Sequence, residues 1–174
     1  NSNMGNIAVP LNTGQVILGN VSWLRIVNQN LSTGSQGATI AYSNNIKVSN
    51  NICSWNYRNG IQLKEVNDCK VYNNTVTSNY DHGIRFDNTN LRNEIINNTV
   101  TGHTNWDDGI HGGELRYSII SDNFVQNNHE GIKSSGRYNL IMNNTIIDSL
   151  EDGLDLEGGH HLVYNNNCLM ICPG

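Results

Sequence analysis

The residues best equipped for chemistry stand at fixed distances from a series of glycines. The two residues ahead of each glycine read Ser35-Gln36, Arg58-Asn59, Asp81-His82, Asp107-Asp108, His129-Glu130 and Glu151-Asp152. The residue two beyond each glycine reads Thr39, Gln62, Arg85, His111, Lys133 and Asp155. Carboxylates, imidazoles and two cations are thus concentrated in the later part of the chain. Carboxylate oxygens can hold a calcium ion or protonate a leaving oxygen, and a nearby cation or imidazole can neutralise an acidic substrate or remove a proton. Asp107, Asp108 and Glu130 are accordingly the candidate metal or acid groups. Lys133, Arg85, His111 and His129 are the candidate bases or neutralisers, with His82 and Asp155 among them as candidate substrate contacts. The segment HTNWDD before Gly109 is two residues longer than its equivalents and brings Trp106, an aromatic plate of the kind on which sugar rings stack. The plainer reading of the same pattern is a solvated face whose alternating charges form salt-bridge ladders.

Those positions form a cluster only if the elements beneath them repeat. Glycines recur at Gly14, Gly37, Gly60, Gly83, Gly109, Gly131 and Gly153, at intervals of 23, 23, 23, 26, 22 and 22 residues. An asparagine turn runs in phase at Asn6, Asn30, Asn51, Asn74, Asn98, Asn123, Asn144 and Asn166. Between the markers, apolar and polar residues alternate in short runs, which is the period of a strand with one buried face. Such short strands bury their apolar face only by stacking, so Ile61, Ile84, Ile110, Ile132 and Leu154 are expected to form one inward column. Val48, Val71, Ile95, Ile120, Ile141 and Val163 form a second. Asparagine tolerates the left-handed conformation of a sharp bend, and its amide can bond to the Asn of the next coil. The glycines permit a positive φ or a close approach. The expected fold is all-β: a single-stranded right-handed parallel β-helix of about seven coils, one domain over residues 1–174. Stacking then brings equivalent residues of successive coils to about 4.8 Å from one another.

Composition narrows the function classes. Fifteen acidic against ten basic residues give a formal net charge of -5, and the basic residues are scattered, which argues against nucleic acid. No apolar run is long enough to span a bilayer, and no signal-peptide pattern is present. The chain begins with Asn1, as a processed secreted protein or an excised fragment would. Cys53, Cys69, Cys168 and Cys172 lack the paired spacing of a zinc site. Cys53 and Cys168 fall in register with Val76, Val100, Val125 and Ile146 and are expected to fill core, leaving Cys172 as the exposed or bridging thiol.

The repeats IKVSNNICSWNYRNGIQL, CKVYNNTVTSNYDHGIRF and NLIMNNTIIDSLEDGLDL resemble the right-handed parallel β-helix repeats of carbohydrate-binding and sugar-hydrolase proteins, over nearly the whole chain. That resemblance implies the fold and a range of roles: polysaccharide lyase, epimerase, glycosidase, periplasmic accessory protein or non-catalytic surface protein. HEGIKSSGRYN is similar to the lysine-bearing coil of calcium-dependent lyases, although the next coil carries Glu157 where those enzymes would be expected to have an arginine. The expectation is therefore an extracellular or cell-surface module that binds an acidic polysaccharide, with calcium as the candidate cofactor and lyase or epimerase turnover left open. The alternative is a structural surface, sheath or filament protein, a homo-oligomer built by end-to-end stacking of coils.

Overall fold

The computed structural model describes residues 15–103 and 106–170. Gly14, Asn6 and Cys172 lie outside the described residues, as do Thr104 and Asn105 of the long segment. Twenty short strands follow one another, three to a complete coil. The first coil contributes β1 (Val16–Gly19) and β2 (Arg25–Val27), and the second β3 (Ala38–Ala41), β4 (Lys47–Ser49) and β5 (Ile52–Ser54). Next come β6 (Ile61–Lys64), β7 (Lys70–Tyr72) and β8 (Thr75–Thr77), then β9 (Ile84–Leu91), β10 (Glu94–Ile96) and β11 (Thr99–Thr101). The later coils supply β12 (Ile110–Arg116), β13 (Ile119–Ser121), β14 (Phe124–Gln126), β15 (Ile132–Ser134), β16 (Leu140–Met142) and β17 (Thr145–Ile147). The last described coil has β18 (Leu154–Leu156), β19 (Leu162–Tyr164) and β20 (Asn167–Leu169). They assemble into three sheets of seven, seven and six strands, one strand per coil in each. Every pairing is parallel and joins neighbouring coils, which makes the molecule a parallel β-helix of about seven turns.

The core is the interior of the coil. Ile61, Ile84, Ile110, Ile132 and Leu154 align in the first sheet, which runs from β1 to β18. Val48, Val71, Ile95, Ile120, Ile141 and Val163 align in the second, from β2 to β19. Cys53, Val76, Val100, Val125, Ile146 and Cys168 align in the third, from β5 to β20. All members from the middle coils are fully buried. On the last coil Val163 and Cys168 are exposed, because no described strand covers the far side of β18, β19 and β20.

Two corner devices differ from the sequence reading. The amide of Asn51 donates to Asn74 Oδ1, and the same bond repeats from Asn74 to Asn98, Asn98 to Asn123, Asn123 to Asn144 and Asn144 to Asn166. At the start of this ladder the position belongs to Gln29, whose backbone N–H donates to Asn51 Oδ1, and Asn30 instead bridges Ile52. The positive φ falls on the residue before each ladder Asn, at Asn50, Asn73, Asn97, Asp122 and Asn143. The first residue of each pair, Asn or Asp, bends the chain and the second, Asn, bonds along the stack. The recurring glycines among the described residues serve close approach alone: a Cβ at Gly83 would lie 2.4 Å from Val100 Cγ1 and 2.6 Å from the Gly109 carbonyl oxygen. A second ladder, five residues beyond the first, runs through Asn56, Asn79, His103 and Asn128.

Candidate functional site

Each polar pair enters a strand of the first sheet through a tight turn. The backbone carbonyls of Asn59, His82, Asp108, Glu130 and Asp152 each accept from the recurring glycine of the preceding coil, so these residues are true neighbours along the stack. Asn59, His82, Asp108 and Glu130 are buried, between 3% and 8% exposed. A merely solvated polar face would not place them so, since burying a polar or charged group is unfavourable unless it is partnered. Asn59 Oδ1 is buried with no hydrogen-bond partner among the described residues.

Asp108 is the hub. Its backbone N–H donates to His82 Nδ1 at 2.9 Å. A backbone N–H can only donate, so Nδ1 is the unprotonated nitrogen and the His82 proton sits on Nε2, 3.3 Å from Asp107 Oδ1. The Asp108 Oδ2 atom lies 2.6 Å from His111 Nδ1 and 3.5 Å from His82 Nδ1. The two imidazole rings lie 4.5 Å apart at 32°. Burial drives the His82 pKa down to about 3, helped by His111 and Arg85 and opposed by Asp108 and Asp87. Burial likewise pushes Asp107 up to about 6, with Asp81 and Asp108 adding repulsion against Arg85 and His111. His82, Asp108 and His111 each offer a ligand atom within 4.8 Å of the others, as do Asp108, His129 and Glu130.

The outward column of the first sheet is as expected: Gln62, Arg85, His111, Lys133 and Asp155 lie in direct register. Its cations, however, are engaged. Lys133 is bonded to Asp155 and lies 3.3 Å from Glu130, and these contacts, the Asp155 bond foremost, raise its pKa above the ordinary lysine value. That holds the ammonium charged, the wrong state for a base. Arg85 Nε bonds Asp87 Oδ1 at 2.6 Å, while Gln62 donates to the other Asp87 oxygen. Asp87 was not among the sequence candidates, although its place two residues beyond Arg85 on the outward face of β9 could have marked it. Glu130 is raised by burial and by Asp108, against Lys133. Trp106 is 80% exposed and its ring lies 5.0 Å from that of His129, which faces Glu151 at 3.6 Å. The expected site residues thus gather on one edge, centred on the buried Asp108 and not on the half-buried cations.

No curated protein matches the chain. Among the described residues no helix is long and apolar enough to cross a membrane. The family model described as periplasmic copper-binding protein (NosD) matches residues 2–169, and with that span the chain belongs to the NosD family.

Proposed function

We propose that this protein is an extracytoplasmic β-helix that binds a copper ion through His82, His111 and Asp108. The observation that carries the reading is a buried carboxylate flanked by two imidazoles, with ligand atoms within 4.8 Å, on the edge of a rigid stack. The donor set fits the family's metal better than calcium. Calcium prefers six to eight oxygens, whereas imidazole nitrogen with carboxylate suits Cu(II), the tightest of the divalent series. His82 is neutral at neutral pH, and a metal ligated by its bare Nδ1 replaces the Asp108 backbone N–H that this nitrogen accepts in the metal-free arrangement. His111 Nδ1 lies 2.6 Å from Asp108 Oδ2 in the metal-free arrangement, so a cation ligated by that nitrogen takes the place of this contact and leaves the ring proton on Nε2. The neighbouring triad of Asp108, His129 and Glu130 is the weaker site, because the Lys133 ammonium already neutralises Glu130.

The test is a copper(II) titration followed by calorimetry and electron paramagnetic resonance. One equivalent with nitrogen hyperfine structure is expected, abolished in His82→Ala combined with His111→Ala and retained in Lys133→Ala. Undiminished copper binding in the double variant overturns the proposal.

An acidic glycan is the second reading, favoured by the exposed Trp106 plate beside the same cluster. With Arg85 and Lys133 held by carboxylates, this face is suited to recognition and not to proton abstraction. Polygalacturonate binding that depends on Trp106, without the ultraviolet absorbance of an unsaturated product, is the expected result.

A further inference from the structure

At the corner between the third and first sheets, the stacked positions are Thr33, Trp55, Ser78, Gly102, Asn127 and Asp148, and all have positive φ. That conformation suits Gly, Asn or Asp and is an outlier for a bulky side chain. Only one coil places an indole there, and Trp55 is 68% exposed, so it adds little to the core. The next two coils carry Ser78 and Gly102, which leave a floor without bulk: a Cβ on Gly102 would meet nothing closer than Ser78 Oγ at 3.3 Å. Tyr57 and Tyr80, both exposed, stand alongside. Together these residues enclose an open cleft of about 470 Å³, within the size range of small-molecule sites.

The rings of this cleft keep their faces open, unlike those of one stacked column on the same surface. Tyr117, Tyr138 and His160 stack face to face on one another at 5.1 and 4.9 Å, occupying each other's faces. Trp55, Tyr57 and Tyr80 make no such ring contact among the described residues. No lining side chain is charged, and the rim offers the Ser78, Tyr57 and Tyr80 hydroxyls. A ligand for this surface must lay an apolar face on aromatic rings while its edges hydrogen-bond and remain wet. A sugar ring does both, through its C–H face and its hydroxyls. The uncharged lining selects neutral sugars, and the open run along the coil axis admits a chain of them.

We propose that the cleft walled by Trp55, Tyr57 and Tyr80 binds a neutral oligosaccharide. The site is separate from the His82–Asp108–His111 cluster and does not depend on copper.

Cellohexaose, mannohexaose and chitohexaose serve as probes, with polygalacturonate and a proline-rich peptide as competitors of other chemistry, read by tryptophan fluorescence and calorimetry. At least one neutral hexasaccharide is expected to bind. Trp55→Asn, which suits the left-handed backbone, and Tyr80→Ser should each weaken it by roughly tenfold or more, the factor set by about 1.4 kcal/mol. Trp106→Ala should leave it unchanged. Unaltered copper titration and circular dichroism in Trp55→Asn separate loss of the cleft from loss of the fold. Absence of binding by all three neutral sugars at millimolar concentration, binding undiminished in Trp55→Asn, or displacement of the bound neutral sugar by polygalacturonate or the peptide in a Trp106→Ala background each overturns the assignment.

Discussion

His103 replaces an asparagine in the second corner ladder, and its replacement by Asn should make the protein markedly more resistant to acid. The side chain is fully buried. Its Nε2 faces the Asn79 amide nitrogen at 3.2 Å and its Nδ1 faces Asn128 Oδ1 at 2.8 Å. Because the amide nitrogen can only donate and the amide oxygen only accept, the ring must carry its proton on Nδ1 and keep Nε2 bare. A second proton would set N–H against N–H in a fully buried site. Burial accordingly lowers the pKa from 6.5 to about 4, against the Asn128 bond, which favours the charged form. The unfolded chain takes up this proton below about pH 6.5 and the folded chain resists it until about pH 4. Stability from the neutral ring is therefore complete above pH 6.5 and lost as pH falls through that window. At 1.36 kcal/mol per unit, the loss by pH 4 is about 3 kcal/mol. Asn is what neighbouring coils place here and does not titrate. Urea unfolding of both proteins at pH 7.5 and pH 4 should show the His103→Asn advantage growing by about 3 kcal/mol on acidification. His82, also depressed, titrates in both proteins and cancels in the difference. A difference that stays constant with pH, or shrinks in acid, refutes the reasoning.

Asp107 responds to pH in the opposite sense: its folded pKa is raised from 3.8 to about 6, so its ionisation destabilises the fold as pH climbs through that range, and Asp107→Asn should raise the melting temperature more at pH 8 than at pH 5. Gly83→Ala forces a methyl against Val100 and the backbone of the next coil, and chemical denaturation should show a loss of about 1–3 kcal/mol, as for other overpacked sites. Ile110→Ala should cost about 2–5 kcal/mol by the same measurement, whereas Gln62→Ala, on the outward face, should cost about 1 kcal/mol or less. Asn98→Ala leaves the Asn74 backbone N–H without its partner in the interior and removes one donor from the Val71 carbonyl, and should cost about 1–3 kcal/mol.

The three inward columns and the outward column from Gln62 to Asp155 were legible in the sequence, because in a stacked coil the repeat length itself sets which residues lie in register. A column separated by some 22 residues needs no further information once each short strand alternates. Turn conformation is a different matter. The sequence marked both asparagines of each pair but not their division of labour, and the period placed Asn30 in the turn series at a coil where Gln29 holds the ladder position. It also assigned the glycines two permissive roles, of which the recurring ones use only close approach. The site divides in the same way. Its members could be named from their offsets to the glycines, since offset fixes position along and around the coil. Depth could not: whether a residue just before a glycine tucks beneath the turn, as Asp108 and His82 do, or stays exposed, as Asp152 does, depends on what the adjoining coil stacks against it. Nor could charge state be read. Lys133 is a free amine in the sequence and a clamped ammonium between Glu130 and Asp155 in the fold, because Asp155, one coil of chain away, meets it only when the stack closes.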